Sequence, residues 1–263
     1  MASWATRWIG WLDEKHWPRV PCVCCHEGSA GWVPNSKVTM PDRESREDVA
    51  AYQARGGPAD ELSGQFTGRL RCDRVECQQE YAIAGDWAYS VNDVYPEDGP
   101  QFIDMFKVRY VAPTLPMFSP PPAVPDTVNE LLVEAASIVW SSPSGAANRL
   151  RQAVDQLLTE RGVPRYALRP PKGTPPKRSR RSLTLHERIT RFQAMSPAAA
   201  EALEAAKWIG NGGSHDGDLD VADVLNGVDF IALALRYLYD TTDTDLMRKA
   251  RSINKARRYR PGR

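Results

Sequence analysis

Five cysteines in a chain of 263 residues fall into two tight groups. Cys22, Cys24 and Cys25 sit in "PCVCCHEG", and Cys72 and Cys77 in "RCDRVEC". Pairing Cys22-x2-Cys25 with Cys72-x4-Cys77 gives two short loops that each offer two thiolates, which is how a closed tetrahedral zinc site is built. Cys24 is spare in this register. A slip would bring in Cys24 or His26, and five unlinked thiols form the competing reading. Four thiolates leave no coordination position for water, so a zinc ion held this way is structural and not catalytic.

A second chemical signal is "KWIGNGGSHDGD", Lys207 to Asp218, at the end of an alanine-rich run. Cleavage of RNA through its own 2′-hydroxyl needs an acid or base titrating near neutrality, which His215 supplies. It also needs a cation for the charge developing on phosphate. Lys207 and Arg151 are the candidates for that role, with Asp155 to orient a cation or the histidine. The competing reading is structural. A helix ending at Gly210 has its last carbonyls met near His215, Gly212 and Gly213 give tight passage, and Asp218 caps the next helix. His186, in "LTLHERI", reads as a surface or packing residue, and Arg188 and Arg191 as additions to a basic surface. Gly56-Gly57 lacks the Lys-Ser/Thr of a phosphate loop, and no nucleophile-elbow pattern occurs.

The net charge of +1 hides a segregation. Residues 165 to 181 carry seven Lys or Arg and no acid, and residues 248 to 263 carry eight and no acid. Those fifteen charges leave −14 on the remainder of the chain. An acidic body with two basic appendages suits an anionic partner such as nucleic acid. The bland alternative is a solvated linker and tail.

Several elements must hold these residues. "SWATRWIGWLDEKHW" spaces Trp4, Trp8 and Trp11 for one face of an amphipathic helix within residues 1–19. Residues 20–112 contain β-rich runs such as "GWVPNSKVTM", "EYAIAGDWAYSV" and "MFKVRYVAP", around a polar insertion with a short helix. Six prolines in the fourteen residues "APTLPMFSPPPAVP" block helix and central strand alike, so residues 113–126 read as a semi-rigid linker. From 127 to 240 the period becomes helical. "DTVNELLVEAASIVW" has Asp126 or Thr127 as its N-cap, and "SPSGAANRLRQAVDQLLTERG" stops at Gly162. Three more amphipathic stretches follow the basic insertion 165–181, and residues 241–263 form a basic tail. The expected fold class is α+β, mainly α: a small β-rich four-cysteine domain resembling a zinc ribbon over residues 20–112, followed by an antiparallel helical bundle.

"SPSGAANRLRQAVDQLL", "LHERI", "KWIGNGGSH" and a long apolar helix ending "LYD" together resemble the family catalogued as domain of unknown function 4145. The cysteine module and the proline-rich approach fit the resemblance too. That family is grouped with the HEPN superfamily of nucleotide-binding helical bundles, many of whose members are metal-independent ribonucleases that act as dimers. The resemblance implies that Asn211 and His215 stand at the motif's Asn and His, while Gly210 stands where its Arg is expected.

The resulting expectation is a HEPN-like protein, of a defence or mobile-element setting, that binds nucleic acid or a nucleotide, RNA ahead of DNA. Its expected cofactor is structural Zn2+, and its expected partner a second copy or another protein. The rival expectations are a ribonuclease effector using His215 and a non-catalytic interaction module. No apolar run approaches the roughly 20 residues of a membrane span, and no signal-peptide pattern opens the chain, so a cytoplasmic location is expected.

Overall fold

The computed structural model describes residues 4–55, 61–91, 102–169, 179–215, 219–240 and 250–255, with the backbone alone for 55 and 208–215. The fold is mixed α/β, an antiparallel sheet followed by a set of packed helices.

The sheet is built on three long strands, β4 (Leu62–Cys72), β5 (Glu80–Val91) and β6 (Phe102–Ala112). Short strands β1 (Val20–Pro21), β2 (Ser29–Trp32) and β3 (Val38–Pro41) complete it. The order is β1-β2-β4-β5-β6, and β3 pairs with β4 further along the edge that β2 uses. The helix α1 (Arg43–Arg55) fills the polar insertion.

Alternation drives the long strands. In β4, Phe66, Leu70 and Cys72 face inward, and in β5 Tyr81, Ile83 and Trp87 do, as the two-residue side-chain period requires. In β6 the residues of the shared core are Phe106, Val108 and then Val111, with Met105 buried outside it. The parity changes because the register shifts by one residue opposite Ala84 and Gly85, a β-bulge that leaves Arg109 extra. A Cβ on Gly85 would lie 2.0 Å from the Lys107 carbonyl oxygen, so only glycine permits the bulge there.

The N-terminal tryptophans do not form an amphipathic helix. Trp4–Trp8 is a single 3-10 turn, after which Leu12 exchanges both backbone hydrogen bonds with Phe106 at the free edge of β6, at 2.8 and 2.7 Å. The winning force is aromatic packing. Trp8 is buried with its ring centroid 5.8 Å from Trp17 and 5.7 Å from Trp140, while Trp11 stays partly exposed.

The proline-rich segment also differs from a free linker. Its Leu115, Met117 and Val124 are buried, and the Trp4 indole N–H donates to the Pro116 carbonyl at 3.2 Å. One continuous apolar core therefore runs from Phe66 and Phe106 through Trp8, Trp17, Leu115 and Trp140 into the helices.

Those helices are α2 (Asp126–Ile138), α3 (Pro143–Glu160), α4 (Leu185–Phe192), α5 (Pro197–His215) and α6 (Val221–Tyr239). Short connections pack α2 on α3 and α5 on α6, and α3 lies against α5 and α6. The N-cap of α2 is Pro125 with no side-chain cap, not Asp126 or Thr127; Thr127 instead donates its hydroxyl hydrogen to Glu160. At the end of α3, Gly162 has φ +78°, and Gly162 and Val163 donate to Thr159 and Leu158, closing a Schellman turn. The cap of α6 is Asp220, in a capping box with Asp223. Asp218 lies outside the described residues.

Between α3 and α4 the basic insertion is a two-stranded ribbon, β7 (Tyr166–Leu168) against β8 (Arg180–Ser182). Residues 170–178 of the insertion lie outside the described residues, as does most of the basic tail, of which residues 250–255 are helical. Among the described residues no helix is long and apolar enough to cross a membrane.

Candidate metal centre

The pairing of β2 with the end of β4 sets Ala30 opposite Cys72, and this brings the two cysteine loops face to face. One loop leaves β1 after Pro21, and the other joins β4 to β5. The sulfurs of Cys22, Cys25, Cys72 and Cys77 all lie within 4.8 Å of one another. Cys22 Sγ is 3.7 Å from Cys77 Sγ, and Cys25 Sγ is 3.8 Å from Cys72 Sγ. A disulfide needs about 2.0 Å between sulfurs. A tetrahedron with metal–sulfur bonds of about 2.3 Å has edges of about 3.8 Å. The sulfur spacing therefore fits a single four-coordinate ion. Cys24 is exposed and outside the group, and His26 is not part of it.

The two loops are built alike. Each closes on a strand-end hydrogen bond, Cys22 N–H to Gly28 O at 3.0 Å and Cys72 N–H to Gln79 O at 2.9 Å. In each, the residue after the second cysteine takes a left-handed backbone, His26 at φ +57° and Gln78 at φ +46°. Backbone N–H groups then point at sulfur. Cys22 accepts from Cys24 and Cys25, Cys25 from Gly28, Cys72 from Arg74, and Cys77 from Gln79. Donors aimed at all four sulfurs offset the negative charge that four thiolates gather around a cation.

Two further residues belong to the site. The Tyr81 hydroxyl donates to Cys22 Sγ at 3.4 Å and accepts from Val23 N–H at 2.9 Å. A Cβ on Gly28 would fall 2.5 Å from Cys72 Sγ, so the backbone approaches that sulfur as closely as glycine allows. In sequence, Tyr81 is one more inward aromatic of β5 and carries no mark of this role. Gly28 carries a weak one, since it lies three residues after the second ligand of its loop.

The thiols do not ionise evenly. Burial pushes Cys22 up, but the Tyr81 hydroxyl and the loop N–H groups outweigh it and bring the thiol down to about 6. Cys72 is raised by burial and by the Cys22 and Cys25 thiols, which together outweigh the Arg74 N–H and the Cys77 thiol. The Gln79 N–H favours the Cys77 thiolate, but burial and the other three thiols outweigh it and push the thiol up to about 12. One thiolate thus repels the next, and a divalent cation is the group that accommodates all four together. Closed coordination of this kind clamps two loops and leaves no position for substrate.

The helical candidates are arranged differently. Lys207 is buried and its Nζ lies 2.5 Å from Glu204 Oε1 and 3.1 Å from His186 Nδ1. His186 Nδ1 also lies 3.1 Å from Glu204 Oε1, with the ring largely exposed. Burial raises the Glu204 carboxyl, and hydrogen bonds from Lys207 and His186 outweigh it to give a net lowering. Asp155 is engaged by Arg188, which donates to its carboxylate and to its main-chain oxygen. Arg188 further donates to Thr159 Oγ1 and the Val163 carbonyl, both at 2.9 Å. It is fully buried, so it adds nothing to a basic surface; three carbonyl and hydroxyl acceptors at the end of α3 hold it inside.

Arg151 and Lys207 line one small cavity between α3, α5 and α6, beside Val154, Ala206 and Ile231. The side chains of Asn211 and His215 lie outside the described residues. The backbone of α5 continues through Gly210 to His215 instead of stopping at Gly210. A helix carries glycine at a cost of about 1 kcal/mol each, which the packing of α5 on α6 offsets.

Neither a curated protein nor a solved structure matches this chain. Residues 133–256, from within α2 to the C-terminal segment, match the family described as Domain of unknown function (DUF4145).

Proposed function

We propose that this protein binds nucleic acid, RNA ahead of DNA, through a HEPN-like helical bundle whose neighbouring β module is held by a structural zinc ion. The ligands of that ion are Cys22, Cys25, Cys72 and Cys77. The observation that carries the nucleic-acid reading is the ribbon β7–β8. Its Arg169 and Arg180 are exposed beside Tyr166 and Leu168, which are 58% and 66% exposed. Guanidinium groups next to an accessible aromatic ring suit a phosphate backbone with a base stacked on the ring.

Filter binding of zinc-loaded protein to single-stranded RNA, single-stranded DNA and duplexes tests it. Affinity should fall linearly with log salt, and Arg169→Ala with Arg180→Ala should reduce that slope by roughly one for each phosphate no longer neutralised. Absence of binding at low salt overturns the proposal.

A second reading, a metal-independent ribonuclease, draws on one feature of α5. Lys207, Asn211 and His215 fall four residues apart, so their backbone positions share one face of the helix, and Lys207 borders the same cavity as Arg151. Cleavage of RNA in EDTA that disappears in His215→Ala supports this reading, and cleavage that survives the substitution removes it.

A further inference from the structure

A groove of about 660 Å³ lies between α6 and the proline-rich segment, a size that suits a small ligand. On the α6 side Asp229, Leu233 and Arg236 recur at spacings of four and three residues, so they share one face. All three line the groove. Leu233 is partly buried and packs on the core, which makes it an apolar floor between two charges. Trp4 and Phe118 line the groove from the other side, with the buried Leu115 and Met117. The Trp4 indole is held by its hydrogen bond to the Pro116 carbonyl, and the proline-rich segment by the shared core. The groove therefore exists before any ligand arrives.

Asp229 and Arg236 are both exposed, and among the described residues neither side chain has a hydrogen-bond or ion-pair partner. A rise of about 1.5 Å per residue sets them about 10 Å apart along the helix. Such a pair calls for a ligand of matching polarity, with a cation at one end, an anion at the other and an apolar body between. A fatty acid supplies the anion but sets its tail against Asp229. A nucleotide brings its phosphate to Arg236 and no cation to Asp229. An extended peptide of three residues spans about 10 Å and carries an ammonium and a carboxylate at its two ends. The walls suit it as well. Aromatic rings such as Trp4, Phe118 and Phe230, the last 37% exposed, grip the proline rings of extended peptides.

We infer that this groove is a binding site for a short apolar peptide with free termini, its ammonium at Asp229 and its carboxylate at Arg236. No residue of the β7–β8 ribbon lines the groove, so the inference stands apart from the nucleic-acid reading.

Isothermal titration calorimetry of the full, zinc-loaded, nuclease-treated chain with the tripeptide leucyl-prolyl-phenylalanine tests this. The free tripeptide should bind in the micromolar range. Acetylating its amine or amidating its carboxylate should each weaken binding about tenfold, through loss of one charge-assisted hydrogen bond. Asp229→Asn and Arg236→Gln should each do the same. The decisive readout is the coupling between peptide and protein changes. In Asp229→Asn, acetylation should cost nothing further while amidation still does, and in Arg236→Gln the reverse should hold. Variants in which both modifications cost as much as in the wild type overturn the inference. So does a wild type that fails to bind the tripeptide at about 1 mM, or one that binds the free and the doubly capped peptide equally.

Discussion

The sheet module and the helical half are stabilised in contrasting ways, although one apolar core joins them. At the cysteine end of the sheet, β1 and β2 are only two and four residues long, too short to hold by ladder hydrogen bonds. Everything there converges on four sulfurs, with backbone N–H groups, Tyr81 and a close-packed Gly28 arranged around them. The helical half spreads its polar stabilisation over many local devices: two capping boxes, a Schellman turn, and the buried Arg188 that ties α4 to the end of α3. A single clamp fails all at once when one member is removed, whereas distributed devices fail one by one.

The sharpest separation should come from Cys72→Ser. Removing one of four thiolates should abolish stoichiometric metal binding, measured by elemental analysis, and lower stability by about 5 kcal/mol or more, since metal binding energy is folding energy in such sites. Tryptophan fluorescence should shift, because Trp17 and Trp32 pack together beside the strands that the clamp holds. Helical ellipticity at low temperature should change little. Loss of all ellipticity would break the comparison by showing that the helices depend on the clamp as well. Unchanged melting would show that the sulfurs hold no metal.

The same contrast explains what could be read in the sequence. The cysteine pairing was legible because each loop carries its ligands at short spacing, and a short loop fixes their geometry locally. The size of the sheet was not, because β4 places Gly64 and Gly68 at inward positions and so lacks the apolar alternation of a strand. Trp4, Trp8 and Trp11 carry helical spacing, yet Trp8 is claimed by Trp17, nine residues on, and by Trp140, far along the chain. The helices themselves were legible from their period. Their polar contacts were not: Arg188 resembles any charged residue on a helix, and its burial follows from carbonyls in and just after α3, 33 and 25 residues earlier. Lys207 and Glu204 stand three residues apart on α5, so their pairing follows from helical spacing, whereas the approach of His186 needed the crossing of α4 and α5.

The second test probes the helical half. Arg188→Ala should leave metal content unchanged while lowering stability by about 3 kcal/mol, because Val163 O loses its donor inside the core and a large buried side chain leaves a cavity, while Asp155 O keeps the Thr159 hydroxyl. The half-exposed Asp155 carboxylate can turn to water, which keeps the loss below that of a fully buried pair. Arg188→Met should cost less than the alanine, since it keeps the packing volume. Urea unfolding with an unchanged slope reads the difference. A loss of bound metal in either variant would collapse the distinction between the two halves.

The smallest effect should be at Glu187, and it carries a pH signature that the sulfur site does not share. The Arg181 guanidinium, and after it the Thr184 N–H, hold the Glu187 carboxyl at about 2 against an ordinary value of 4.5. Its folded value is depressed, so its stabilisation is complete above 4.5, falls away as pH drops from 4.5 towards 2, and is absent below. Glu187→Gln keeps an oxygen for the Thr184 N–H but removes the charge from the pair with Arg181. Wild type should therefore melt slightly higher than Glu187→Gln at neutral pH, with the gap closing between 4.5 and 2. A gap constant across that window would mean that capping geometry alone secures the start of α4. A gap that closes, with ellipticity lost from α4 first, shows that the anchor of the basic ribbon depends on a single carboxylate at the helix that also carries Arg188.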